Sequence, residues 1–270
     1  DSLAFPAAHY GTFELSPDGR RIAVTSYPIN GPADIWVFDI EKATSERVAR
    51  DASRPLWLPD GRSLLMTVLR DSLRLIRIPG SGSGTADTIK AIAGQTYAIS
   101  PDGKLLLRSD SPESGFRIVR MDSINSNGVR VSGINTLTRF SPDGAWLVVT
   151  SVQAGRSEVY VVSTGNPAVR YRVSIAGGEE PRWSRDGRRI VYRFLNEWFE
   201  SSFMPGSPPV IGRPIRLFTG QYENVSGYSH DLFPDGRHLL LRAPVERTTR
   251  RLTVLTELQM LIERGRTSRD

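Results

Sequence analysis

The chain has no cysteine among its 270 residues, so disulfides, thiolate metal sites and a cysteine nucleophile are all excluded, and the redox compartment is left open. Histidine is almost as scarce: His9, His230 and His238 are the whole supply of imidazole for acid–base or metal chemistry. No segment approaches the roughly 18 uninterrupted apolar residues of a membrane helix. The opening Asp1-Ser2-Leu3-Ala4 lacks the basic region and apolar core of a signal peptide, and the chain starts without Met, which leads us to expect a mature form or an excised domain. No Gly-x-Ser-x-Gly elbow occurs, which argues against a serine hydrolase in this stretch. The formal charge of +6 is spread over strand ends and loops without a basic stripe interleaved with aromatics, so nucleic acid is not expected as a partner.

What the chain does have is a repeated turn. Ser16-Pro17-Asp18-Gly19 returns as Leu58-Pro59-Asp60-Gly61, Ser100-Pro101-Asp102-Gly103, Ser141-Pro142-Asp143-Gly144, Ser184-Arg185-Asp186-Gly187 and Phe233-Pro234-Asp235-Gly236. Successive aspartates stand 42, 42, 41, 43 and 49 residues apart, the period of a four-stranded propeller blade. Proline presets φ at the first central turn position, aspartate bonds nearby backbone, and glycine supplies the positive φ that closes the turn. A short apolar run comes after each turn, as in Ile22-Ala23-Val24, Leu64-Leu65-Met66 and Leu147-Val148-Val149. Such runs read as strands buried on both faces.

The expectation is an all-β, six-bladed propeller of four-stranded antiparallel blades filling residues 1–262, with a frayed polar tail at 263–270. In the first blade the strands are expected at 11–15, 21–26, 35–40 and 47–50. The sixth blade lacks a clean fourth strand, and Leu3-Ala4-Phe5 has no blade of its own. The N-terminal strand is therefore expected to complete the last blade and remove an open edge. Gly80-Ser81-Gly82-Ser83-Gly84 reads as a loop tip. Met204-Pro205-Gly206-Ser207-Pro208-Pro209, inside the long interval, reads as a protruding loop.

The repeated turn after an aromatic or aliphatic strand, as in Phe140-Ser141-Pro142-Asp143-Gly144 and Trp183-Ser184-Arg185-Asp186-Gly187, resembles the WD40-like (PD40), TolB-type six-bladed propellers. A narrower resemblance is to the propellers fused C-terminal to bacterial serine/threonine protein kinases. It rests on Ile190-Val191-Tyr192-Arg193, Pro214-Ile215-Arg216-Leu217-Phe218-Thr219-Gly220, the stretch from Tyr228 to Gly236, and Leu252-Thr253-Val254-Leu255. That resemblance implies a sensing or scaffolding module outside the membrane, in an extracytoplasmic or periplasmic setting.

In a propeller the inner strand of each blade lines the axis. Four residues before each turn aspartate stand Glu14, Leu56, Ala98, Arg139, Arg182 and Asp231; six before stand Thr12, Arg54, Thr96, Leu137, Glu180 and Ser229. The positions between, Leu15, Trp57, Ile99, Phe140, Trp183 and Leu232, are apolar and suit packing between blades. Glu14, Arg54, Arg139, Glu180, Arg182 and Asp231 are thus the candidate ligand-binding set. Glu14 with Asp231 makes one wall acidic and Arg139 with Arg182 makes the other basic, which suits a zwitterionic or peptide-like ligand; the alternative is that these groups only fill the channel. No catalytic residue, metal ligand or cofactor is assigned.

The leading expectation is a monomeric, non-catalytic module binding a protein, a peptide or a small charged ligand. Two alternatives stay open. One is a metal-dependent hydrolase or lyase acting in the channel through His9, His230 and Asp231. The other is the gating propeller of a prolyl-oligopeptidase-like enzyme. His238, directly after a turn, reads as a surface residue.

Overall fold

A computed structural model describes residues 2–3, 9–28, 31–69, 73–80, 87–91, 94–109, 115–134, 137–153, 155–220, 227–242 and 251–255. The first strand in chain order is the short β1 (Ser2–Leu3). Next come β2 (His9–Leu15), β3 (Arg21–Tyr27), β4 (Asp34–Asp39) and β5 (Thr44–Ala49), then β6 (Ala52–Trp57), β7 (Ser63–Leu69), β8 (Leu73–Pro79) and β9 (Asp87–Ala91). They continue as β10 (Gln95–Ile99), β11 (Leu105–Ser109), β12 (Phe116–Arg120) and β13 (Val129–Val131), then β14 (Thr138–Phe140), β15 (Trp146–Gln153), β16 (Arg156–Ser163) and β17 (Arg170–Arg172). The last are β18 (Glu179–Trp183), β19 (Arg189–Phe194), β20 (Glu197–Met204), β21 (Val210–Ile211), β22 (Ile215–Thr219), β23 (His230–Leu232), β24 (His238–Arg242) and β25 (Arg251–Leu255).

These strands form small antiparallel sheets arranged as a propeller. Five sheets, β2–β5, β6–β9, β10–β13, β14–β17 and β18–β22, are built from consecutive strands. A further sheet is composite, in the order β1-β25-β24-β23, with Ser2 opposite Thr253 and Leu3 opposite Leu252. Six turns therefore do not give six self-contained blades. Five are complete in themselves, and the remaining strands need the other end of the chain.

The turn motif has a visible physical reason. In the first copy Gly19 N–H donates to Ser16 O (2.8 Å), Ser16 Oγ donates to Asp18 Oδ1 (2.5 Å), and Ser16 Oγ in turn accepts from Arg21 N–H (2.9 Å). The serine thus connects the turn to the strand after it, and the copies at Ser100, Ser141 and Ser184 repeat the arrangement. Five of the six turn glycines also face the turn proline of the preceding blade: Gly61 on Pro17, Gly103 on Pro59, Gly144 on Pro101, Gly187 on Pro142, and Gly19 on Pro234 across the closing seam. At Gly19, with φ +72°, a Cβ would fall 2.7 Å from Pro234 Cδ, so only glycine fits. Gly236 has nothing against it, because the preceding turn carries Arg185 in place of proline. Arg185→Pro restores the missing contact and stiffens the unfolded chain. It is expected to raise stability by about 0.4–1 kcal/mol, read as a higher urea midpoint at unchanged slope.

The core lies between the blades rather than inside any one of them. Leu107, Phe116 and Val131 pack against Phe140, Leu147 and Val149; Trp146, Val148 and Val159 pack against Trp183, Ile190 and Phe203. This is why the second strands carry three apolar residues in a row: Leu147, Val148 and Val149 are all fully buried. The Pro/Gly cluster at 205–209 sits at the tip of an arm, where β20 overruns its blade and β21 pairs back on Phe203 and Met204. Residues 4–5, 81–86 and 263–270, where parts of the strand, linker and tail expectations fall, lie outside the described residues.

Candidate functional site

The inner strands do not run straight. β2, β6, β10 and β18 each carry a register shift just before the axial positions, at Tyr10/Phe13, Ser53/Leu56, Thr96/Ala98 and Glu179/Arg182. In β6 and β18 the bulge holds a residue next to proline, Arg54-Pro55 and Glu180-Pro181. Proline cannot donate to a ladder, so a bulge is where a strand tolerates it. Arg54 (φ +56°) and Glu180 (φ +53°) are held in the left-handed region, an unfavourable backbone for side-chain-bearing residues that the surrounding packing must impose.

The four deeper charges meet. Arg139 Nη2 lies 3.2 Å from Glu14 Oε2, and Arg182 Nε lies 3.4 Å from Asp231 Oδ1. The guanidinium carbons of Arg139 and Arg182 stand 4.3 and 3.7 Å from the ring centre of Tyr228, within cation–π range. The oppositely charged walls expected from the sequence are therefore not an open funnel. Acid and base neutralise each other directly and form a plug on the axis. Burial pushes the Glu14 carboxyl above the usual range, against the pull of Arg139 and Arg182, and lowers Arg182 below the usual guanidinium range. Indoles hold two of these positions from behind: Trp57 Nε1 donates to Glu14 O (3.1 Å) and Trp183 Nε1 to Arg139 O (3.3 Å).

Two other candidates fasten seams. Asp231 Oδ2 accepts the Leu15 N–H (3.0 Å), tying the composite sheet to the first blade. Glu180 Oε2 accepts both the N–H and the hydroxyl of Ser229, and its Oε1 stands 3.3 Å from Arg193 Nη1, tying the fifth blade to the composite sheet. Burial raises the Glu180 pKa despite these donors.

Arg54 is placed differently. Its guanidinium carbon lies 4.6 Å from the ring centre of Tyr97, and it lines a cavity of about 20 Å3 with Thr12, Thr96, Leu137, Arg139 and Tyr228. That cavity lies on the side away from the Asp-Gly turns, one step nearer the start of the inner strands than the plug. At the opposite end, the exposed Arg185 reaches across from the fifth blade to the Pro17 carbonyl, at 3.5 Å.

The two histidines with described side chains are packed in the interior. His230 is fully buried, with Nε2 2.6 Å from the Glu180 carbonyl and its ring edge-on to Trp198, and burial holds its pKa well below the ordinary value. His238, expected at the surface, is 4% exposed because Phe218 of β22 lies edge-on against its ring; burial and Arg189 push it down to about 4. The side chain of His9 lies outside the described residues. Among the described residues no three of His, Asp and Glu converge as a metal-holding group. Tyr228 is the central residue that sequence spacing missed. It falls one place outside the alternating set, and only its aromaticity, seven residues before a turn aspartate, marked it.

No protein-family model matches the chain. Residues over 50% of it are 27% identical, across 143 positions, to an uncharacterized peptidase, YuxL, of Bacillus subtilis, but that match spans only 21% of the relative's length. Among solved structures, a putative TolB from Agrobacterium tumefaciens superposes with a TM-score of 0.62 at 19% identity, covering 92% of this chain and 91% of the other. TolB from Acinetobacter baumannii gives 0.58 at 18% identity, over 88% of this chain and 64% of that one. An oligogalacturonate lyase in complex with manganese gives 0.55 at 13% identity, over 93% and 90%. At these identities the likeness is one of architecture, and the chain has a TolB-like β-propeller fold.

Proposed function

We propose that this chain is a non-catalytic binding propeller that receives a protein, peptide or small charged ligand at the channel end opposite the Asp-Gly turns. The observation that carries the reading is the Arg54 cavity at that end, bordered by Arg139 and Tyr228. The antiparallel order puts the β15–β16 and β19–β20 turns and the β17–β18 connection at the same end as the Arg54 cavity. Val152 (59% exposed), Ile175 (62%) and Leu195 (72%) stand there. Apolar side chains around a partly charged opening are the composition of a recognition surface. The charged plug closes the axis below, which leaves a blind recess rather than a through-passage.

Thermal-shift screening of peptides and small charged molecules tests this. A ligand at about a hundred times its Kd adds roughly 2.7 kcal/mol of apparent stability, and Leu195→Asp together with Ile175→Asp is expected to abolish that gain. A stabilising ligand indifferent to both substitutions defeats the reading, as does turnover of a substrate by this chain alone.

In its finer form the module is the extracytoplasmic sensor of a bacterial serine/threonine kinase, as the resemblance of the C-terminal third implies. A kinase domain and one membrane span encoded upstream are the expected finding. The partial match to the B. subtilis peptidase favours a second reading, a propeller that screens access to a hydrolase domain. A hydrolase domain encoded alongside this chain would select it.

A further inference from the structure

Three channel arginines are matched by carboxylates: Arg139 by Glu14, Arg182 by Asp231 and Arg193 by Glu180. Arg54 has no carboxylate within ion-pair distance among the described residues. It borders a small cavity on the mouth side of the plug, which Thr96 and Tyr228 also line. Thr96 is fully buried and Tyr228 is 1% exposed, yet among the described residues neither Thr96 Oγ1 nor the Tyr228 hydroxyl has a hydrogen-bond partner. A buried hydroxyl left unmade costs about 1–3 kcal/mol, and buried polar groups are nearly always satisfied. Burial also raises the Tyr228 pKa, so its oxygen keeps the proton and can donate. The residues lining this void thus carry a guanidinium without a carboxylate partner and two hydroxyls without hydrogen-bond partners among the described residues, the hydroxyl oxygens being shielded from solvent. The residue bearing the cation is held in a strained backbone, which aims its side chain at the cost of local stability.

The size of the void narrows the ligand. About 20 Å3 has room for roughly one water-sized group, so a ligand enters with a single small polar group and the rest of it stays in the opening. A planar carboxylate fits that limit, entering oxygen-first and leaving whatever it is attached to in the opening above. We propose that Arg54, Thr96 and Tyr228 form a carboxylate-binding subsite, which takes the end of an extended peptide or a small organic acid arriving from the mouth. The inference rests on the binding-propeller reading and names the chemical group that reading left open.

The test compares three probes on the whole chain by ligand-observed NMR: a pool of N-acetylated tetrapeptides with free C-terminal carboxylates, the same pool as carboxamides, and acetate. The carboxylate pool is expected to bind about tenfold or more tightly than the carboxamide pool, with Arg54→Gln removing the difference. Thr96→Val and Tyr228→Phe delete hydroxyls that make no hydrogen bond among the described residues. Both are expected to leave the melting temperature unchanged or higher while weakening carboxylate binding. A merely structural role for these hydroxyls gives the reverse, lower stability and unchanged binding, and overturns the subsite.

Acetate binding as tightly as the peptide pool identifies a small acid as the source; peptide binding far above acetate identifies a chain end. Both support the subsite. Equal binding of carboxylate and carboxamide pools, sensitive to Leu195→Asp but not to Arg54→Gln, overturns the subsite and leaves the binding propeller standing. No saturable binding of any probe overturns the subsite outright.

Discussion

Arg182→Met is expected to lower stability by about 3–5 kcal/mol, seen as a fall in the urea midpoint at nearly constant slope. The arginine is 4% exposed, pairs with Asp231, donates from Nε to the His230 carbonyl (3.2 Å) and lies against the ring of Tyr228. Removing it leaves the Asp231 carboxyl, among the described residues, with the Leu15 and Leu232 N–H groups and the more distant Arg139. Removing both partners is a milder change than removing one, because no uncompensated charge remains. The double variant Arg182→Met, Asp231→Asn should therefore lose less than the sum of the single variants, with a coupling of about 0.5–3 kcal/mol. Single variants each costing under about 1 kcal/mol, with no coupling, would mean that the plug is solvated and the axis open.

The second large effect is a loss of stability in mild acid, traceable to His238. Its folded pKa, pushed down to about 4, lies below the unfolded value near 6.5. The unfolded chain therefore binds a proton in this window that the folded chain refuses, so the contribution is present above about pH 6.5 and is lost as pH falls toward 4. At 1.36 kcal/mol per unit the full loss is on the order of 3 kcal/mol. Three neighbours matter. Arg189 repels the added charge, His230 is itself held neutral and loses stability in the same direction, and Phe218 covers the ring with its own apolar surface. Glu14 and Glu180, whose pKa values are raised, act in the opposite sense, stabilising as pH falls. The difference between wild type and His238→Leu, measured by urea unfolding at steps from pH 7 to pH 4, isolates the one group. A difference that does not change with pH would show that the imidazole reaches water.

The architecture is legible because each level of the sequence points the same way. The serine, aspartate and glycine of the turn all act within a few residues of one another, so their spacing alone reveals the hairpins. The apolar second strands result from being sandwiched between blades. The axial positions are legible too, since strand alternation fixes which side chains face inward, and Glu14, Arg139, Arg182 and Asp231 do meet. What alternation cannot show is how charges distribute once they arrive. The bulges in β6 and β18 turn Arg54 and Glu180 to different neighbours, one toward a void and the other toward Ser229 across a seam. Those outcomes depend on backbone conformations that no local pattern encodes. His238 departs from its surface expectation for a related reason: a residue just after a turn is exposed only when no further side chain packs against it, and Phe218 of β22 does.

The pairing of Ser2 with Thr253 and Leu3 with Leu252 also bears on how the molecule is made. Every other sheet can assemble as soon as its own forty or so residues have been synthesised, through contacts between neighbours in sequence. The last sheet joins residues 2–3 to residues 251–255 and meets the entropic cost of closing a loop that spans all five other sheets. Through translation the growing arc carries two unsatisfied rims, one at each end, and β1 must wait unpaired until β25 leaves the ribosome. Circularly permuted variants that open the chain elsewhere would move that waiting strand to a different joint.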